Sequence, residues 1–260
     1  MPVHDRLIDE LAKKYWFAEA NRVPIAPLRD YFPHLSLESA YQIQQALVRK
    51  KEQNGWRAIG WRMFGVHAAA RAQMQLQEPF IGKVFDKQRV PHEGVIPMEG
   101  LIHPRVSVAL GLRLGSESPA QIASPEQLLE SAEGIFAVLE ILDARTSQWE
   151  IDSFDMVADN GVLARFVLSD PFEWNKKCDL GSLSYDLQIN QRPVDQLDTF
   201  SENILLHLEQ LMHNLHQHDK QPQSGQLLIL SGLSAAFPLQ KGDDVKLDLG
   251  FLGRATVQIG

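Results

Sequence analysis

A single cysteine, Cys178, stands among 260 residues. One thiol excludes an intramolecular disulfide framework and any cysteine-bound metal cluster. Positive charge is also scarce, with 25 Lys plus Arg against 33 Asp plus Glu, a net charge of −8. An acidic chain with no Lys/Arg-dense stretch interleaved with aromatics is poorly suited to nucleic acid. No apolar run approaches the roughly 20 residues that cross a bilayer. The opening "MPVHDRLIDELAKKYW" has no apolar signal region, so a cytoplasmic protein that neither enters a membrane nor binds nucleic acid is expected. What is present is a hydrophobic fraction of 44%, enough in a chain of this length for a substantial core.

The first quarter reads as helical. Leu7, Ile8, Leu11, Ala12 and Tyr15 share a helical face, and after "NRVPIAPLRDYFPHL" a second helix opens at Ser36 as N-cap. Its apolar stripe is read as Leu37, Ala40, Tyr41, Leu47 and Val48, with Gly55 as the stop. From residue 57 the pattern changes to short extended pieces punctuated by Pro and Gly. Ser124, Pro125 and Gln127 spell a capping box. "DMVADNGVLARFVLSD" reads as a loop entering a buried strand, and Ile204, Leu205, Leu208, Leu211, Met212 and Leu215 stripe a long helix. Helices first and strands after argue an α+β fold with a mixed sheet. The expected division is an N-terminal helical segment, 1–56, and a mixed β body, 57–260, that carries the pocket.

Within the body, "GIFAVLEILDAR" holds one carboxylate, Glu140, in a β-branched-rich run that reads as a strand buried on both faces. A lone ionised carboxylate there is costly unless a cation or hydrogen-bond donors meet it. Three uses remain open: a structural ion pair with Arg62 or Arg105, a general acid or base with its pKa raised by the apolar strand, or a metal ligand. His67 is a further candidate for proton transfer, set against an ordinary loop histidine. His207, His213, His216 and His218 fall off the leucine stripe of their helix and read as a solvated face. Asp159 and Asn160 in "VADN" read as capping and turning the backbone.

The ordered set "AYQIQQALV", "AIGWRMFGVH", "EPFIGKVF", "HPRVSVALGLRL", "FAVLEILDAR", "VADN", "LILSG" and "KGDDVKLDLGFLGRATVQI" resembles the hydratase and decarboxylase branch of the fumarylacetoacetate hydrolase superfamily. The resemblance implies a β-roll like that family's C-terminal domain, with a preceding helical segment. It also implies a site in which two glutamates two residues apart and a third on the next long strand hold Mg²⁺ or Mn²⁺. Residues i and i+2 of a strand point to one face, and a hard cation takes oxygen ligands. The ion then holds a 2-keto or 2-enol acid as a Lewis acid.

On this resemblance Glu140 occupies the third position, while Ser107 and Ala109 stand where the paired glutamates belong. Arg62 replaces a lysine, Phe80 an acidic residue and Val162 a serine, and Ser231 with Gly232 match a small-residue turn beside the substrate. Glu140, Arg62 and His67 are thus the catalytic candidates. Phe80, Arg105, Ser107, Val162, Ser231 and Gly232 are the substrate-binding candidates, and no metal ligand set is expected. The leading expectation is a divergent lyase, isomerase or cyclase on a small unsaturated keto or enol compound, with no cofactor unless Mg or Mn binds a site rebuilt around Glu140. The alternatives are a non-catalytic homologue that stabilises a protein partner, and a conventional metal-dependent 2-keto acid hydratase or decarboxylase. Self-association is expected by resemblance.

Overall fold

The computed structural model describes residues 5–73, 76–119, 121–149, 151–175, 179–199, 203–218 and 220–260. Cys178 lies outside the described residues. The chain opens with α1 (Asp5–Asn21), α2 (Leu28–Tyr31) and α3 (Leu37–Gln53). It continues through β1 (Ala58–Phe64), α4 (Ala68–Gln73), β2 (Phe80–Phe85), β3 (Arg89–Val90) and β4 (Gly94–Ile96). Then come β5 (Arg105–Leu114), α5 (Pro125–Glu130), β6 (Ala132–Leu142), α6 (Ser153–Ala158) and β7 (Leu163–Leu168). The rest is β8 (Tyr185–Ile189), β9 (Arg192–Leu197), α7 (Ile204–Gln217), β10 (Leu227–Ser231), β11 (Phe237–Pro238), β12 (Asp244–Asp248) and β13 (Arg254–Ile259).

One large mixed sheet runs β2-β1-β10-β5-β6-β7-β3, with β11 on β5, and a smaller one runs β4-β13-β12-β8-β9. β1 pairs parallel with β10, and β5 pairs antiparallel with both β10 and β6. Because side chains alternate across a strand, each sheet residue belongs to one of two cores. Leu110, Leu139, Ile141 and Leu230 meet Val245, Leu247 and Val257 of the small sheet and Leu208 and Leu211 of α7. Phe80, Phe136, Val138, Phe166 and Ile229 meet Tyr15 of α1, Ile43 and Leu47 of α3 and Phe154 of α6. The strand β6 is buried on both faces as its composition requires, and Glu140 sits on the helix-covered side. This mixed α/β arrangement of curled sheets and a few helices is the expected one.

Several expectations change in detail. The buried face of α3 is Ala40, Ile43, Gln44, Ala46, Leu47 and Lys51, and Leu37 is exposed. The actual face is therefore rotated from the stripe read in sequence, because the helix packs between α1 and α6. "DMVADN" begins in a helix, since Asp152 caps α6 by accepting from Asp155 N. Ser124 accepts from Gln127 N, but the Gln127 side chain accepts from Ala123 N rather than from the cap residue. His207 is buried on α7, unlike exposed His213 and His216.

Close strand approach makes one glycine indispensable. A Cβ on Gly60 would overlap the Leu227 carbonyl oxygen across the β1–β10 pair. Gly60→Ala must push these strands apart, and a loss of about 1–3 kcal/mol or more is expected. Urea unfolding checks it; an unchanged midpoint would show that the pair is looser than described.

Candidate functional site

Four neighbouring strands, β1, β10, β5 and β6, bring their polar residues to one face of the large sheet. Ser107 and Glu140 are directly opposed in the β5–β6 pair. Arg62 comes from β1 and Ser231 from the end of β10. The Arg62 Nε–H donates to Glu140 Oε1 at 3.1 Å and to Ser231 Oγ at 2.9 Å, and the Ser231 hydroxyl donates to Glu140 Oε1 at 2.6 Å. The Glu140 side chain is fully buried and Arg62 is 1% exposed, so the charge left in the strand is met by a guanidinium and a hydroxyl. Burial pulls the Arg62 pKa down while Glu140 pushes it back up, and a guanidinium remains charged under such a shift.

A left-handed turn completes the grip. Asn160, Gly161 and Val162 have φ of 53°, 75° and 52°. For β-branched Val162 that region is a true outlier, the kind of strain that persists only where its surroundings fix it. Asn160 supplies the fixing: its side chain accepts from Lys83 N and donates to Lys83 O, both at 2.8 Å, stapling the turn to β2. The turn presents the Gly161 carbonyl to Arg62 Nη1 at 2.6 Å, and a Cβ on Gly161 would fall 2.6 Å from that nitrogen. Arg62 also lies 4.9 Å from the Phe64 ring, which packs on Phe80.

The structure thus gathers Arg62, Glu140 and Ser231 by direct contact. Ser107 lies on the same face, and Phe80 and the Gly161–Val162 turn lie beside the guanidinium. Arg105 lies elsewhere, with its guanidinium 4.4 Å from the Trp149 ring. His67 is half-buried after β1, its backbone N–H bonded to the carbonyl of Gly232, whose φ is +75°. Sequence reasoning missed Gly161 as the carbonyl that orients Arg62. The signal was the turn-forming "DNG", read as structure without asking what it presents.

A second buried ionic network lies beyond the end of β6. Arg145 Nη2 is 3.1 Å from Glu19 of α1, and Lys51 of α3 donates to the same carboxylate at 2.5 Å. Arg145 Nη1 is 3.6 Å from Asp159, which follows α6. Burial would raise the Glu19 pKa, but Arg145 and Lys51 outweigh it and hold it at about 2. For Asp159 burial wins over Arg145, and its pKa rises to about 7. These four side chains tie α1, α3 and the turn that carries Gly161 together; Asp159 ends α6, but its carboxyl group faces Arg145 rather than capping the turn.

No protein-family model matches the chain. It is 26% identical over 256 residues to a 2-keto-4-pentenoate hydratase of Paraburkholderia xenovorans (strain LB400), covering 96% of this chain and 94% of that one. It is 24% identical over 239 residues to a 4-oxalocrotonate decarboxylase of Pseudomonas sp. (strain CF600), covering 90% of each. The chain is a homologue of 2-keto-4-pentenoate hydratases and 4-oxalocrotonate decarboxylases. A solved 4-oxalocrotonate decarboxylase from Pseudomonas putida G7, complexed with magnesium and adipate, superposes with a TM-score of 0.89 over 99% of both chains at 22% identity. That likeness shows a shared fold of curled mixed sheets and a few helices. No helix among the described residues is long and apolar enough to cross a membrane.

Proposed function

We propose that the chain is a hydratase- or decarboxylase-type enzyme that handles a small unsaturated 2-keto or 2-enol compound at the Arg62–Glu140–Ser231 centre without a resident metal ion. One observation carries this reading. Arg62 Nη2, Glu140 Oε2 and Ser107 Oγ are buried with no hydrogen-bond partner among the described residues, and all three residues are buried on one face of one sheet. Partly satisfied buried networks are costly. A carboxylate or enolate oxygen would pair the free guanidinium N–H, leaving Oε2 to exchange a proton.

In that arrangement Ser231 and Arg62 Nε hold Oε1, so Oε2 is the oxygen that accepts the enol proton and returns it to carbon. Arg62 balances the negative charge that develops on the substrate oxygen, and Phe64 and Phe80 exclude water. Since Arg62 and Glu140 are almost wholly covered, entry of a substrate requires the cover over the centre to open.

The donor set argues against a hard dication here. Such an ion takes about six oxygen ligands, whereas this face offers one carboxylate already paired with a guanidinium, plus two hydroxyls. Among the described residues no three His, Cys, Asp or Glu are grouped to hold a metal. The reading that competes is metal-dependent chemistry of the ordinary kind, favoured by the chain-length hydratase and decarboxylase relatives and by the magnesium named with the P. putida G7 enzyme.

The test is direct spectrophotometry of 2-keto-4-pentenoate and 4-oxalocrotonate with chelator-stripped protein. Turnover without metal is expected, falling about 10²- to 10⁴-fold in Glu140→Gln. Turnover that appears only after Mg²⁺ is added would instead establish the metal-dependent reading. No turnover under either condition would leave a structural ion pair in a non-catalytic homologue.

A further inference from the structure

Adjacent residues of β1 point to opposite faces, so Trp61 lies on the side of the sheet away from Arg62. There, between α3, the edge strand β2 and the segment after α7, is a cavity of about 280 Å³. Three cations and an imidazole line it: Arg49 from α3, Lys83 from β2, and His218 and Lys220 after α7. Its walls are aromatic, Trp61 on one side and Tyr41 on the other, with the His218 ring 4.6 Å from Tyr41. Among the described residues no carboxylate lines it, and none forms an ion pair with Arg49, Lys83 or Lys220.

The Lys83 ammonium is half-withdrawn from solvent and rests 3.4 Å over the Trp61 ring. The backbone of Lys83 is gripped on both sides by Asn160, and Lys220 N–H is fixed to Leu215 O at 2.8 Å. Both lysines line the same cavity, and the Lys220 charge acts on Lys83. Like charges converging in a partly dry cavity are unfavourable unless an anion sits between them.

We infer that this cavity binds a small oxyanion, a carboxylate or phosphate group carried by Lys83 and Lys220 with Arg49 at the rim, at a site separate from the Arg62–Glu140 centre. The volume suits a ligand the size of a short dicarboxylate or a phosphate, and the Tyr41 and Trp61 walls limit its hydration. Burial lowers the Lys83 pKa to about 8, with Glu52 opposing and Lys220 reinforcing the shift. Other charged or titratable groups facing this region are Arg49 and His218, with Glu78 beside Tyr41. Loss of the Lys83 proton as pH passes 8 removes one of the two central charges, so the anion is released on the alkaline side.

Calorimetric titration of the full chain with malonate and, separately, with inorganic phosphate tests this, with chloride keeping the ionic strength constant. Saturable one-to-one binding is expected at pH 7 for at least one probe, and which probe saturates distinguishes a carboxylate from a phosphate ligand. Malonate affinity should fall about tenfold by pH 9.5, and by a similar factor in Lys83→Gln and in the exposed-site variant Lys220→Gln. In Lys83→Gln the alkaline loss should largely disappear. Absence of saturable binding by both probes, or binding unchanged in both variants, overturns the assignment. The malonate response of Lys83→Gln and Lys220→Gln also separates this site from the Arg62 centre, which neither variant touches.

Discussion

Arg62→Met is expected to destabilise the protein by about 3–5 kcal/mol and to abolish turnover, because it leaves the Glu140 carboxylate buried without its cation. The double variant Arg62→Met, Glu140→Leu removes both charges and restores most of that stability, since a buried pair replaced by apolar groups of similar size is often neutral or better. Turnover stays absent in the double variant. This pair of measurements separates the two roles of the centre. A stable double variant with no activity means that the charges are retained for chemistry; a stable double variant that still turns over the substrate would place catalysis elsewhere in the fold.

The second large effect lies in the other ionic network. Glu19 is shared by Arg145 and Lys51, so Glu19→Gln leaves two buried cations with weakened partners. A loss of about 3–5 kcal/mol is expected, seen as a melting temperature lower by about 10 °C. The pH dependence has a definite sign. The folded-state pKa of Glu19 lies below its ordinary 4.5, at about 2, so its contribution is present above pH 4.5 and disappears as pH falls towards 2. Asp159, raised to about 7, acts in the opposite sense: the stabilisation from its retained proton is full at low pH and is lost as pH rises through 7. Thermal melts from pH 2 to 8 should show an acid limb in the native chain that flattens in Glu19→Gln. An identical limb in both would exclude Glu19 as its source.

Much of this was legible in the sequence because it depends on local pattern. The β-branched-rich run around Glu140 reads as a buried strand, and the cost of a lone carboxylate there demanded a partner, with Arg62 among the candidates. The resemblance put Ser107, in the place of one of the paired glutamates, in the same site as Glu140, and the two stand directly opposed in the β5–β6 pair. The resemblance placed Ser231 and Gly232 at the turn beside the site, and Ser231 does reach Glu140. What stayed hidden depends on tertiary contact. Arg62 and Arg105 are equal candidates by composition, and only the parallel β1–β10 pairing brings Arg62 to the centre while Arg105 turns to Trp149.

The Glu19 network was unread because its members come from positions 19, 51, 145 and 159, which no periodicity links. A signal was nevertheless available in two places. Glu19 falls four residues after Tyr15 and Lys51 four after Leu47, so both continue the buried stripes of their helices, and a charge on such a stripe calls for a partner. The apolar stripe assigned to α3 failed for a related reason. Leu37 and Val48 were counted for their hydrophobicity, although the surface that receives the helix also accepts Gln44, whose amide bridges the carbonyls of Ile81 and Val157.

The central claim is that the Arg62–Glu140–Ser231 centre engages a keto or enol acid without a metal ion. Calorimetric titration of chelator-stripped protein with Mg²⁺ and Mn²⁺, alone and with oxalate present, tests it most directly. The account predicts no saturable uptake of either ion, together with oxalate binding that needs no metal and is lost in the Arg62→Met, Glu140→Leu variant. Tight saturable Mg²⁺ or Mn²⁺ binding that strengthens with oxalate would contradict it and return the chain to metal-dependent chemistry.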